Sequence, residues 1–251
     1  MLLAIEIGNT TVAAAVFDGP TVVARWRGQT HAAEDQPAAL LAACHAEDIV
    51  VAGVVPEVLA RWEARLKALS GAPPLVVGRD LPAPLTSSYA PGQLGIDRLL
   101  AAAAAVELCG SPVLVADCGT ATTLDAVAPD GCFVGGAILC GLETARDALA
   151  QRAALLPRVE LASPPAALGQ NTVECLQAGL VLGHAGAIAW LAKRLRRELA
   201  APWAPLVGSG GWAPLLAQAV PDLFTRLEPD LALLGLKLAW ERWAGEPLCE
   251  A

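Results

Sequence analysis

The sequence predicts an α/β chain built as two duplicated halves, on three observations. The stretch "LLAIEIGNTTVAAAVFDG", residues 2–19, reads as strand, polar glycine turn and strand. The stretch "VLVADCGTATTLDAVAPDG", residues 113–131, repeats that plan at close to half the length of the 251-residue chain, which is the mark of an internal duplication. Within each half, short β-branched runs alternate with helical patterns. The expected division is a first domain over 1–110 and a second over 111–251.

Taken in order, Leu2 to Ile5 is an apolar strand, Gly8 to Thr11 a tight turn and Val12 to Phe17 the return strand. Asp18-Gly19 turns the chain into a third strand, Thr21 to Trp26. Residues 37–47 and 56–69 read as helices flanking the buried strand "DIVVAGVV". The segment 79–95, "RDLPAPLTSSYAPGQLG", is rich in Pro, Ser and Gly and reads as a long loop, a kind of segment that is more often functional than decorative. An Ala-rich helix follows from Asp97-Arg98 to about Cys109. Val113 opens the second meander, with Thr122 to Val127 as its return strand and a third strand running through Ile138 after Pro129-Asp130-Gly131.

A helix is expected from Gly141 toward Ala154, and a long one opens at Asn171, whose partner Glu174 completes a capping pattern, and runs to about Leu199. Gly179, Gly183 and Gly186 recur along it at short helical spacing, which suits close packing inside the domain or a subunit interface equally well. "PLVGSGGWAPLLAQAV", 205–220, is strand, glycine turn and helix, without the Lys and Ser/Thr of a P-loop. Leu231 to Trp243 reads as a packing helix.

Composition narrows the function classes. A formal charge of -8 argues against a nucleic-acid partner, whose phosphates require a basic face. Mean hydropathy is high at +0.50. The most apolar windows, around Leu99–Ala116 and Cys175–Ala192, are Ala- and Gly-rich and interrupted by Glu107 or by Gln177 and His184. They read as buried helices and strands, so no membrane association is expected. The N-terminus has no basic segment of a signal peptide. Seven scattered cysteines without a C-x-x-C pair fit reduced thiols in the cytoplasm, and His31, His45 and His184 form no metal-binding spacing and read as surface or packing residues.

The two polar turns carry the chemistry. A glycine turn between strands aims successive backbone N–H groups into one concavity, and such nests bind phosphate oxygens. Thr and Asn add donors without charge. A carboxylate beside such a nest repels a bare phosphate, so Glu6 and Asp117 make sense where a cation lies between, as magnesium does on a nucleotide triphosphate. Taken singly, either hairpin is an ordinary turn with a solvated acid. Two copies at domain spacing favour a nucleotide clamped with its metal in a cleft between two domains. Phosphoryl transfer also requires a group to take the acceptor's proton, and Asp97 at the end of the long loop suits that task, although Asp at a helix start also serves as a cap. Arg98 beside it suits a bidentate pair with a substrate carboxylate or a structural salt bridge.

The motifs "EIGNT" at the start, "GIDR" at 95–98, "DCGTATT" at 117–123, "GGAI" at 135–138, "LGQNTVE" at 168–174 and "GSGG" at 208–211 occur in the order found in type III pantothenate kinases, and the chain resembles that family over nearly its whole length. The resemblance implies two ribonuclease H-like domains of the actin, sugar-kinase and heat-shock ATPase superfamily, and ATP-dependent phosphorylation of pantothenate, the first step toward coenzyme A. It implies that Glu6, Ile7, Gly8, Asn9, Thr10, Thr11 and Thr120 bind ATP, with Glu6 holding Mg2+ through water. It further implies that Asp117 coordinates a monovalent cation, K+ or NH4+, and that Asp97 is the general base. Tyr89, Gly95, Ile96, Asp97 and Arg98 then line the pantothenate pocket, with Thr172 supplied across a homodimer.

The sequence departs from the family's pattern at several positions. Glu6 stands where Asp is usual, and one extra methylene displaces the carboxylate by about 1 Å, a shift of catalytic consequence. Ala90, Ile96, Cys118 and Cys140 stand where Asn, Ala, Phe and Pro are common. Two other readings are a relative that kept the fold as a regulatory accessory protein, like the Bvg accessory factor, and a kinase of another small alcohol such as a sugar. The retained Asp97, Arg98, Asp117 and Thr172 speak for the pantothenate kinase.

Overall fold

The structure, a computed structural model, describes residues 1–30 and 46–245. The helix expected over 37–47 falls almost wholly outside the described residues, as do His31, Cys44, His45 and Cys249. The chain forms two compact units, Met1–Ala104 with Leu231–Ala251, and Ala105–Asp230. The C-terminal segment thus returns to the first unit, which a single cut at 110/111 does not anticipate.

The first unit is built on a five-stranded sheet, β1 (Leu2–Ile7), β2 (Thr11–Asp18), β3 (Thr21–Gln29), β4 (Asp48–Gly53) and β5 (Leu75–Val76), in the order β3-β2-β1-β4-β5. The first three strands are the antiparallel meander, and β4 joins β1 in parallel. Period-two alternation sorts the side chains. Leu3, Ile5, Ile7, Val12, Ala14 and Val16 face helix α1 (Pro56–Ser70) through Val58, Trp62 and Leu66. Leu2, Ala4, Ala13 and Ala15 face helix α2 (Ile96–Cys109) at Leu100 and the C-terminal helix, residues 231–245, at Leu233, Leu236 and Ala239. Small alanines on that face let the helices come close.

The closest approach is at Gly235, where a Cβ would strike the Leu100 carbonyl. Gly235→Ala therefore forces two helices apart, and we expect a loss of about 1–3 kcal/mol, read as a lower midpoint in urea. An unchanged midpoint would mean that this contact does not hold the C-terminal helix to the first unit.

The second unit repeats the plan: β6 (Val113–Cys118), β7 (Ala121–Val127), β8 (Phe133–Cys140), β9 (Leu206–Ser209) and β10 (Arg226–Leu227), in the order β10-β9-β6-β7-β8. β1 and β6 carry the same burial pattern, five buried positions interrupted only at Glu6 and at Asp117. Leu114, Ala116, Cys118, Leu124 and Ala126 form the core face. Against it lie α3 (Leu142–Arg152), α4 (Thr172–Gln177), a π-helical turn (Ala178–Leu182), α5 (Gly183–Glu198) and α6 (Ala213–Ala219), through Leu142, Leu180, Val181, Ala185, Ile188 and Leu216. The C-terminal helix of the first unit is α7 (Leu231–Gly245).

The run α4–π–α5 corrects one expectation. The sequence predicts burial for Cys175–Ala192, yet only one stripe of it is covered: Ala178, Leu180, Val181, Ala185, Ile188 and Ala192 are buried, while Trp190 is 61% exposed. The helix Thr172–Glu198 is long and apolar enough to cross a membrane by length and composition alone. At Gly179, Gly183 and Gly186 an added Cβ would meet nothing within 4 Å, so among the described residues these glycines serve no packing within the chain.

Helix α3 is tied to the following loop by an ionic cluster. Arg146, only 6% exposed, donates to Asp147 and Glu143, each at 2.7 Å, and Arg158 donates to Asp147 at 2.8 Å. The Arg146 and Arg158 guanidinium groups hold the Asp147 carboxyl well below the usual carboxylate range. Asp80 is likewise lowered, by Arg79 and the Val76 N–H. Groups lowered on folding stabilise the folded chain above the unfolded carboxyl pKa of about 4 and lose that contribution as the pH falls below it. The melting temperature is therefore expected to fall on acidification below about pH 4, and Asp147→Asn to flatten that fall. An identical acid limb in the variant would contradict this.

Candidate active site

Each meander ends its first strand in the same way. Glu6 and Asp117 are the penultimate residues of β1 and β6, two positions before Gly8 and Gly119. Alternation turns both carboxylates away from the face that carries Ile7 in one unit and Cys118 in the other. Their lateral neighbours differ. Glu6 is in register with Ala13 and Ala52, whereas Asp117 is in register with Thr123 and Ser209. The longer Glu thus lies between two methyl groups, and the shorter Asp between two hydroxyls.

The first turn is closed by the Gly8 N–H donating to the Thr11 carbonyl at 2.9 Å, with an added Cβ at Gly8 only 3.0 Å from that oxygen. Asn9 and Thr10 form its exposed tip and Thr11 starts β2. In the second turn the Gly119 N–H donates to the Ala121 carbonyl at 3.0 Å, and Thr120 stands at the tip. A Cβ at Gly141 would strike the Gly119 and Thr120 carbonyls, and one at Gly210 would strike the Asp117 carboxylate. The "GGAI…G" and "GSGG" segments thus let backbone come against the acidic turn.

Around the second turn the interior is polar. Thr122 is buried and its hydroxyl lies 2.9 Å from Nε2 of His184, whose pKa burial lowers. His184, half-buried, is thus the packing residue of the two readings its sequence allows. Thr123 donates at 3.1 Å to the carboxylate of Asp125, a residue only 1% exposed. Burial, aided by the Asp117 charge, pushes the Cys118 thiol up to about 12, which makes it an inert core residue.

Asp97 lies in the first turn of α2, and its Oδ1 accepts the Arg98 N–H at 2.9 Å. A Cβ at Gly95 would collide with that same oxygen, so glycine there is required for the carboxylate's pose. Gly95 and Ile96 also border an open pocket of about 380 Å³ on the surface of the first unit, whose other walls include Gly53, Val54, Leu59 and Gly78. Tyr89, Asp97 and Arg98 are not among its walls; Tyr89 lies in the preceding loop, where its N–H donates to the Ser87 hydroxyl at 3.1 Å.

Thr172 is the first residue of α4 and is exposed. The cap beneath it is as the sequence indicates, with Asn171 accepting from the Glu174 N–H at 3.0 Å and Glu174 accepting from the Gln170 N–H at 2.8 Å. Among the described residues no group of three or more His, Cys, Asp or Glu side chains is able to cage a metal. One acid per turn fits a divalent cation that arrives on nucleotide phosphates, where one or two carboxylates suffice.

Duplicated five-stranded units with acidic glycine turns define the class of protein: the actin-like ATPase and sugar-kinase fold. A solved structure described as a Baf family transcriptional activator from Campylobacter jejuni matches with a TM-score of 0.64 at 21% identity, over 97% of this chain and 100% of that one. One described as a 2-dehydro-3-deoxygalactonokinase from Sinorhizobium meliloti matches with a TM-score of 0.55 at 17% identity, over 100% and 99%. Both likenesses speak to fold alone. The family model of type III pantothenate kinase matches residues 2–194. Curated type III pantothenate kinases from Thermomicrobium roseum and Moorella thermoacetica are 40% and 36% identical, over 96% of this chain in each case and 97% and 99% of theirs. The chain belongs to the type III pantothenate kinase family.

Proposed function

We propose that this chain transfers the γ-phosphoryl group of ATP to the primary hydroxyl of pantothenate, giving ADP and phosphopantothenate, the first step toward coenzyme A. The observation that carries the reading is the pose of Asp97, held by the Arg98 N–H and given room by Gly95, with Gly95 and Ile96, just before it in the chain, bordering an open pocket of about 380 Å³. Asp97 takes the hydroxyl proton as the alcohol oxygen attacks the γ-phosphorus, the bond to the β,γ-bridging oxygen breaks, and ADP leaves. Tyr89, Gly95, Ile96 and Arg98 position pantothenate.

ATP enters as its magnesium complex, with Glu6, Ile7, Gly8, Asn9, Thr10, Thr11 and Thr120 on its phosphates and Glu6 facing the magnesium through water. The two alanines beside Glu6 are in keeping with its extra methylene. Asp117 takes K+ or NH4+, and the adjacent Thr123 and Ser209 suit an oxygen-seeking cation. The work of such an enzyme lies in the cytoplasm, where its thiols stay reduced. The test is mass spectrometry of the products with ATP, magnesium and pantothenate, with and without potassium. A phosphopantothenate peak that grows with potassium supports the reading, and its absence in both arms overturns it.

The chain is further proposed to act as a homodimer that supplies Thr172 to its partner's site. The open glycines of the α4–π–α5 run, flanked by Val173 at 44% and Trp190 at 61% exposure, support this. Light scattering is expected to give twice the chain mass, and a fully active monomer would overturn it.

A further inference from the structure

The two turns share a fastening that the sequence motifs do not include. The residue that follows the third strand of each meander donates its backbone N–H to the carbonyl of the threonine in the turn: Thr30 to Thr10 at 2.9 Å, and Gly141 to Thr120 at 3.2 Å. A hydroxyl adds a second hold in each unit. The Thr30 hydroxyl donates to the Gly8 carbonyl at 2.8 Å, and the Thr144 hydroxyl to the Thr120 carbonyl at 2.7 Å. Thr30 therefore grips the first turn at two points, and it is only 2% exposed, so water does not stand in for its hydroxyl. Thr144 is exposed, in the first turn of α3, which the Arg146 cluster ties down.

We propose that Thr30 is a positioning residue for the nucleotide phosphates, fixing the Gly8–Thr11 turn through the Gly8 and Thr10 carbonyls, with Thr144 as its weaker counterpart at Thr120. This rests on the reading above that these turns meet ATP. A nest binds an anion only while its N–H groups converge, and the direction of each N–H is set by the peptide planes whose carbonyls these threonines hold. The sequence carries no signal for this role, since its pattern ends the third strand at Trp26 and Thr30 becomes the residue after the strand only in the structure, where β3 runs to Gln29. Without the hydroxyl, the Gly8 carbonyl is left without its side-chain donor inside the fold, and the turn is free to rotate away from the phosphate-binding shape.

The test measures the Kd of a non-hydrolysable ATP analogue with magnesium by calorimetry, and the KM for ATP and for pantothenate, in the full chain. Thr30→Val is expected to weaken the analogue and raise the KM for ATP by about tenfold, with the KM for pantothenate within about twofold. Thr30→Ser, which keeps the hydroxyl, is expected to restore wild-type values, and Thr144→Val to show a shift of about threefold. A purely structural role would lower the active fraction and the melting temperature while leaving both KM values unchanged, and that outcome overturns the proposal. Should Thr30→Val fail to fold, Thr144→Val carries the measurement, and an unchanged analogue Kd there overturns it equally. The analogue arm does not depend on the acceptor, so a chain that binds ATP but fails to phosphorylate pantothenate sinks the functional reading and leaves this inference standing on its own data.

Discussion

Asp97→Asn abolishes turnover: kcat is expected to fall by a factor of about 10^2–10^4 while the fold and the affinity for ATP are retained. Asn keeps the shape and an oxygen that is able to accept the Arg98 N–H, now made at 2.9 Å, so the start of α2 is undisturbed. What it removes is the capacity to accept a proton. The variant separates two uses of an acid at a helix start, since a cap tolerates Asn well and a base does not. Release of ADP, followed together with circular dichroism, reads both. A variant with more than about a tenth of wild-type kcat would remove Asp97 from the chemistry.

The second large effect is expected at Gly210→Ala. This glycine has φ 84°, a backbone conformation that costs an alanine about 1 kcal/mol or more. Its Cβ would also strike the Asp117 carboxylate and lie 2.7 Å from the Cys118 backbone. The carboxylate end is able to swing aside but the Cys118 backbone is not, so β6 or the 208–211 turn has to shift, and the carboxylate with it. A displacement of about 1 Å at such a site is worth about 10^2-fold in rate. Activity should therefore drop far more than the melting temperature, and added potassium should not restore it. Activity within about threefold of wild type would mean that the Asp117 carboxylate has no fixed position to lose.

Much of the fold was legible because its signals are local. The β-branched runs, the Asp18-Gly19 turn and the Asn171–Glu174 cap each name an element from adjacent residues, and the duplication follows from comparing two such stretches. The two-residue strands β5 and β10 leave no signal in the sequence, since Leu75–Val76 and Arg226–Leu227 are too short to carry a period and exist only by pairing with β4 and β9. The return of α7 to the first unit is a non-local fact, fixed by Gly235 meeting the Leu100 carbonyl. Composition does not tell a covered face from an open one, so it predicts burial for the whole apolar run after Cys175, of which only a stripe is covered.

The site divides along the same line. Glu6, Asp97 and Asp117 are visible as acids where an apolar pattern gains nothing from a charge, and the glycines beside them as turns. Their supports are invisible in sequence. Thr30 lies 22 residues from the carbonyl it holds, Thr144 lies 24 from Thr120, and His184 lies 62 from Thr122. Asp125 reads as one more polar residue of a strand, yet it is only 1% exposed. Such partners are set by which strands pair, and become readable only once the register is known.

The most direct measurement is the mass balance of one reaction: purified chain with ATP, magnesium, potassium and pantothenate, with ADP and phosphopantothenate quantified together. The account predicts the two products in equal amounts, both absent when pantothenate is withheld and both lost in Asp97→Asn. ADP formed without phosphopantothenate, or neither product from a chain that binds ATP, would contradict it.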